Sequence, residues 1–187
     1  MRKELTEKLL KDYKELYIDH TSPLSESLMS FGFEVGDGWF NIIDSLSRCI
    51  TFYVKSKIEH EILMRKIVRF ERSFGGLRKG WYCWDWWKQI PPKYKEYIRL
   101  RKSLDMDAMQ VRAIQVKEKF GGLRFYVDGA DNEVYGMITM AEAMSYVTCE
   151  QCGNPGSLHH RGGWLKTVCS KCAVKLEYIK GSDPYDK

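Results

Sequence analysis

The chain has 187 residues, 30 Lys plus Arg against 25 Asp plus Glu, and 44% apolar residues. That apolar fraction is ordinary for a globular protein and excludes disorder throughout, and the length suits one domain, or one with a small appendage. No run approaches the ~18 consecutive apolar residues of a membrane span, and the opening Met1-Arg-Lys-Glu-Leu lacks the apolar centre of a secretion signal. The expected setting is therefore the cytosol, where thiols stay reduced and paired cysteines point to metal rather than to disulfides.

Residues 2–18 repeat Leu5, Leu9, Tyr13 and Leu16 or Tyr17 at steps of three and four, which predicts an amphipathic helix. His20-Thr-Ser-Pro23 breaks that pattern. Phe31-Gly-Phe33-Glu-Val35 alternates as a short strand does, and Gly36-Asp-Gly38 turns the chain, with Asp37 placed to cap a helix. In that helix Trp39, Ile42, Ile43, Leu46, Ile50, Tyr53 and Val54 form one core-facing stripe. Cys49 borders the stripe and is expected to be a small buried hydrophobe rather than a nucleophile.

Two segments then echo one another at an offset of 46 residues. Val68-Arg-Phe-Glu-Arg-Ser-Phe-Gly-Gly-Leu-Arg78 matches the pattern of Ile114-Gln-Val-Lys-Glu-Lys-Phe-Gly-Gly-Leu-Arg124. A Gly-Gly pair between alternating runs signals a two-residue hairpin, because glycine tolerates the positive φ of primed turns. Two β-hairpins are predicted, with Phe120 facing Leu123. Ile114, Val116, Phe120, Leu123, Phe125 and Val127 would make the inner face, with Glu118 opposite Phe125. If both hairpins join one antiparallel sheet, Arg72 and Glu118 could pair.

Between the copies runs Trp81-Tyr-Cys-Trp84-Asp-Trp86-Trp87, five aromatics in seven residues. Residues 55–102 hold 14 Lys or Arg against 5 acids and four of the six Trp. Such a segment suits an anionic partner through guanidinium–phosphate pairs and base stacking. The candidate ligand-binding residues are Arg69, Arg72, Arg78, Lys79, Trp84, Trp86 and Lys88, with His160 further along. Beyond the second hairpin, Asp131 caps a helix running to about Val147, with Val134, Ile138, Ala141 and Met144 along it.

The sharpest motif follows that helix. Cys149-x-x-Cys152 and Cys169-x-x-Cys172 offer four thiolates from two tight turns, the ligand count of a tetrahedral zinc site. Four protein ligands leave no position for water, so such a centre is structural rather than catalytic. His159 and His160 lie between the pairs and are expected in an exposed loop. The sequence has no Gly-x-x-x-x-Gly-Lys, no Gly-x-Gly-x-x-Gly, no Gly-x-Ser-x-Gly and no deaminase His-x-Glu. An enzyme is the weaker class.

Four segments in this order resemble a family of small bacteriophage and prophage proteins: Phe33-Glu-Val-Gly-Asp-Gly-Trp-Phe40, Gln115–Val127, Cys149-Glu-Gln-Cys-Gly-Asn-Pro-Gly156 and Gly163-Trp-Leu-Lys-Thr-Val-Cys169. The resemblance spans roughly residues 31–173 and implies a phage accessory protein ending in a zinc ribbon. It implies no particular activity. The Trp-rich insertion around 79–107 departs from the family's pattern.

The expected whole is an α+β protein: an antiparallel sheet from two Gly-Gly hairpins packed by helices within residues 1–147, a zinc ribbon at 148–175, and a tail at 176–187. Its expected role is non-enzymatic binding of an anionic host ligand, a nucleotide signal or nucleic acid, in the bacterial cytosol as a counter-defence factor. The alternative is an adaptor docking on a host defence protein. A nuclease using His159 or His160 ranks last.

Overall fold

A computed structural model describes residues 1–23, 25, 27–77 and 110–180, with the backbone alone for 63–77. The chain divides into two compact units, Met1–Phe52 with Gln110–Lys187, and Tyr53–Met109. Mixed helix and strand make the architecture α+β.

The first helix, α1, spans Lys3–Asp12 and stops well short of residue 18. Tertiary contacts override the periodicity at its end. The Tyr13 hydroxyl donates to Asp44 Oδ1 at 2.9 Å, and the backbone N–H of Ala113 donates to the Leu16 carbonyl at 2.7 Å. Tyr17 is fully buried, meets Phe33 edge-on with ring centroids 5.0 Å apart, and shares a hydrogen bond with the Ser47 hydroxyl. A continuous helix would carry Tyr17 away from these partners.

Strand β1 is only Phe33–Glu34. Asp37 is not a helix cap. It opens a short 3₁₀ turn, Asp37–Trp39, and its carboxylate takes the backbone N–H and the guanidinium of Arg2. These donors hold the Asp37 carboxyl below its usual range, the backbone hydrogen bond first among them.

Helix α2 runs Phe40–Leu77. Ile42, Ile43, Leu46, Ile50 and Val54 are buried, as is Trp39 just before it. Cys49 is exposed, contrary to expectation. The buried stripe is centred on Ile43, Ser47 and Ile50, and at 100° per residue Cys49 lies roughly 130° from that centre.

The same helix absorbs residues 68–77, so the first Gly-Gly copy is no hairpin. Ile67, Phe70, Phe74 and Leu77 also recur at steps of three and four, so the segment satisfies a helical period as well as an alternating one.

The second copy does form a hairpin, β2 (Arg112–Lys119) with β3 (Gly122–Asp128), but in a shifted register. Lys119 pairs with Gly122 and Glu118 with Leu123, so the loop is Phe120-Gly121 rather than Gly121-Gly122. Phe120 has φ 54° and Gly121 φ 80°, the two positive values of a primed turn. Phe120 consequently points outward and is 67% exposed instead of facing Leu123. A bulge between Ala113 and Gln115 leaves Ala113, Val116, Leu123 and Phe125 as the buried set. β1 joins β2 in parallel, Phe33 opposite Val116, so the first sheet is mixed, in the order β1-β2-β3.

Helix α3 (Asn132–Ser145) is capped by Asp131, whose Oδ1 accepts the Val134 N–H at 3.1 Å. It seals the outer edge of β3. Ser145 Oγ accepts the Leu123 N–H at 2.9 Å, and Glu142 Oε1 accepts the Phe125 N–H at 3.1 Å. Side chains there do what a further strand would do.

The carboxy-terminal part differs from a ribbon of strands alone. After the first cysteine pair come β4 (Ser157–Arg161), β5 (Trp164–Val168), helix α4 (Ser170–Leu176) and β6 (Ile179–Lys180). The sheet order is β5-β4-β6, so residues expected in a tail supply a strand. Gly162 and Gly163, at φ 54° and 89°, form the Gly-Gly hairpin loop that the two echoed copies do not. His159 and His160 lie in β4 rather than a loop. His159 is buried and its Nδ1–H donates to the Ser157 carbonyl at 2.8 Å, while His160 is exposed. No described helix is long and apolar enough to cross a membrane.

Candidate metal centre

Two local devices present the four sulfurs. The first is a knuckle. Cys149 accepts the Gly153 N–H on its carbonyl at 2.9 Å, and Gly153 sits at φ 76°, where a side chain would strain the turn. The second is the start of α4. Cys169 occupies the cap position and Cys172 the first turn, with the Cys169 carbonyl taking the Ala173 N–H at 2.8 Å. A hairpin, β4–β5, joins the two devices.

The Sγ atoms of Cys149, Cys152, Cys169 and Cys172 all lie within 4.8 Å of one another. Cys152 Sγ and Cys169 Sγ are 3.7 Å apart. A tetrahedron built on zinc–sulfur bonds of ~2.3 Å has edges of about 3.8 Å, whereas a disulfide would need ~2.05 Å. The spacing therefore fits a shared metal ion. Among the described residues this is the one group of His, Cys, Asp or Glu so gathered.

The thiols influence one another. Cys169 is lowered to about 7, chiefly because the Cys172 backbone N–H donates to its sulfur. Cys172 is pushed up to about 12 by burial and then by the three neighbouring sulfurs, and burial also raises Cys149. Crowded thiols resist collecting several negative charges, and a divalent cation removes that cost. Metal uptake thus expels protons, and affinity falls as pH falls.

A second layer, barely legible in the sequence, grips the knuckle. Gly38 donates its N–H to the Glu150 carbonyl at 2.8 Å, and Gly36 donates to Glu150 Oε1 at 2.9 Å. The Trp39 indole N–H donates to the Thr148 carbonyl at 2.8 Å. Glu150 is buried, and its other oxygen takes Lys166 Nζ at 2.7 Å. A Cβ on Gly38 would stand 2.1 Å from the Cys149 carbonyl oxygen, so only glycine fits. Thr167 Oγ1 donates to the Gly121 carbonyl at 2.7 Å and ties β5 to the tip of the first hairpin. The cysteine module is thus built into the same compact unit as α1, β1–β3 and the start of α2, not appended after residue 147.

Of the candidate ligand-binding residues, Arg69 and Arg72 fall in α2, where side chains are not described. Arg78, Lys79, Trp84, Trp86 and Lys88 lie outside the described residues. Glu118 Oε1 accepts the Gly121 N–H at 2.6 Å and closes its own hairpin, and its expected pairing with Arg72 falls on a side chain outside the described residues.

No protein family matches this chain. No curated protein and no solved structure matches it either.

Proposed function

We propose that this is a non-enzymatic binding protein whose tetrathiolate centre holds zinc as a structural ion, and whose partner is anionic. One observation carries the structural role. All four ligand positions of a tetrahedral ion are filled by protein sulfur, and the surrounding polar groups are spent on holding the knuckle. The chain's own residues clamp the ion and cross-link the turn that leads into α2, the first hairpin and the second sheet. Zinc suits the donor set, because soft thiolates in tetrahedral array select it. The anionic partner, a nucleotide or nucleic acid of the host cytosol, rests on the uneven charge of the sequence.

Elemental analysis of the purified chain tests the first part, with one zinc per chain expected and an absorption spectrum of four thiolates after cobalt replacement. A coordination sphere containing water would refute it. Salt tests the second part, because phosphate-driven binding weakens steeply as salt rises.

A second reading, docking on a host protein, has its own support. The outward face of α3 carries Tyr135, Gly136, Thr139, Met140, Ala143 and Met144, with Val147 just beyond and a single charge, Glu133, at its amino-terminal end. Exposed apolar stripes of this kind mark protein interfaces. A complex insensitive to salt and broken by Met140→Asp would favour that reading.

A further inference from the structure

The segment Gly163–Cys169, one of those that carries the family resemblance, holds an exposed tryptophan that the metal centre does not use. Trp164 begins β5 and is 74% exposed. Tryptophan usually withdraws most of its surface from water, so such exposure calls for a reason. Its cross-strand neighbour on β4 is Arg161, directly opposite and on the same sheet face. The register of β4 with β6 places His159 against Lys180, and the same register puts Tyr178 beside Arg161. The Arg161 guanidinium in fact lies over the Tyr178 ring, 5.1 Å from its centroid.

One row across the sheet therefore reads Trp164, Arg161, Tyr178. The next row on the same face reads Lys166, His159, Lys180. Arg161 is exposed, and its Nη1 donates to the Leu176 carbonyl at 2.9 Å, which orients the guanidinium and uses one of its five N–H donors there. Charge points to the ligand. Residues 149–180, which include all four cysteines, contain five Lys or Arg and two acids, for +3. Four thiolates around a divalent cation subtract two, which leaves +1, and because Glu150 pairs with Lys166 the uncompensated positive charge is Arg161, Lys171, Lys175 and Lys180 against Glu177.

We propose that this aromatic–guanidinium row is a stacking platform for single-stranded nucleic acid. The proposal rests on the anionic-partner reading above and names the partner and its contact surface. An indole at an open hairpin tip offers one stacking plane without walls, whereas an isolated nucleotide is normally held in a concave pocket. A strand can combine that plane with several phosphate contacts, the pattern of sequence-tolerant single-strand binding. Trp164 stacks a base, Arg161 meets the adjoining phosphate, and Lys180 lies along the backbone's path. His160 sits on the opposite sheet face, with Leu165 and Ile179, and takes no part.

The test is fluorescence anisotropy of a fluorescein-labelled single strand of about 12 nucleotides, a span within the usual site size. The full zinc-loaded chain is titrated at roughly 50 and 200 mM salt. The unaltered chain is expected to bind, and Trp164→Ala to weaken binding roughly tenfold, in line with the loss of one stacked base. Trp164→Phe should recover most of that loss. Arg161→Ala should weaken binding and lower the salt slope by about one phosphate. Zinc content and circular dichroism should stay unchanged, since an exposed side chain leaves no cavity. Binding that Trp164→Ala leaves intact overturns the platform while the anionic reading stands. Binding of free nucleotides but not of the strand does the same. A chain that binds neither at low salt overturns both.

Discussion

Phe74-Gly-Gly-Leu-Arg78 and Phe120-Gly-Gly-Leu-Arg124 are the same five residues, yet helix α2 runs through the first as far as Leu77 and the second turns a hairpin. The difference lies in what surrounds them. Two residues before the second phenylalanine stands Glu118, which accepts the Gly121 N–H and closes the loop. Two residues before the first stands Arg72, a side chain with donors only, which cannot accept an amide N–H. After the motif the second copy continues Phe125-Tyr-Val127, a strand sequence, while the first continues Lys79-Gly-Trp81. The second copy also has a partner to lean on, because a Cβ at Gly121 would meet Leu158 Cδ1 at 2.3 Å and one at Gly122 would meet the Tyr146 ring at 2.3 Å. A short motif selects its conformation through the groups that receive it.

The largest expected effect comes from removing that receiving surface. Stripping the metal, or replacing Cys149 with Ser, should forfeit a stabilisation of about 10–16 kcal/mol, comparable with the whole stability of a domain. Hydrogen exchange should then show β2–β5 losing protection, while the helical amides of residues 60–77 in the other compact unit keep theirs. Equal loss in both would mean that the two copies share one cooperative unit.

Next comes a pair of opposite sign. Gly122→Ala should destabilise by about 1–3 kcal/mol, because its methyl meets the Tyr146 ring. Gly75→Ala should instead stabilise by up to about 1 kcal/mol, since alanine is the better helix former. Denaturant titration of the two variants reads the contrast directly, and matching signs would erase it.

Glu118→Arg makes the second copy resemble the first and should cost about 1 kcal/mol by leaving the Gly121 N–H without its carboxylate. Glu118→Gln keeps an acceptor and should be nearly neutral, thermal melting of both variants giving the comparison. A shift of similar size but opposite sign is expected from Phe120→Asn. Asparagine tolerates the positive φ that phenylalanine strains to adopt, so the melting point should rise by a few degrees, for a gain of about 1 kcal/mol.

The metal ligands were legible because their chemistry is local: two Cys-x-x-Cys pairs declare themselves whatever the fold around them. The helix after Asp131 was legible for the same reason, since a cap and its period lie within a few residues. The register of the second hairpin was not. Its loop is selected by Glu118, Tyr146 and Leu158, of which only Glu118 adjoins the turn. Nor was the layer behind the metal, because Gly36 and Gly38 meet Glu150 across more than a hundred residues of chain. Their only trace was two glycines bracketing Asp37 just before Trp39. Cys49 misled because Ser47, polar in the sequence, occupies the middle of the buried stripe, where its hydroxyl meets that of Tyr17.

The carboxylate of Glu142 and the hydroxyl of Ser145, set against β3, have a bearing on self-association. Amides that already have acceptors give an incoming peptide nothing to zip onto, so this margin resists runaway stacking into fibrils even though Tyr126 and Val127 favour extended chain. A protein built this way must meet its partners through side chains rather than by lending them its backbone along that margin.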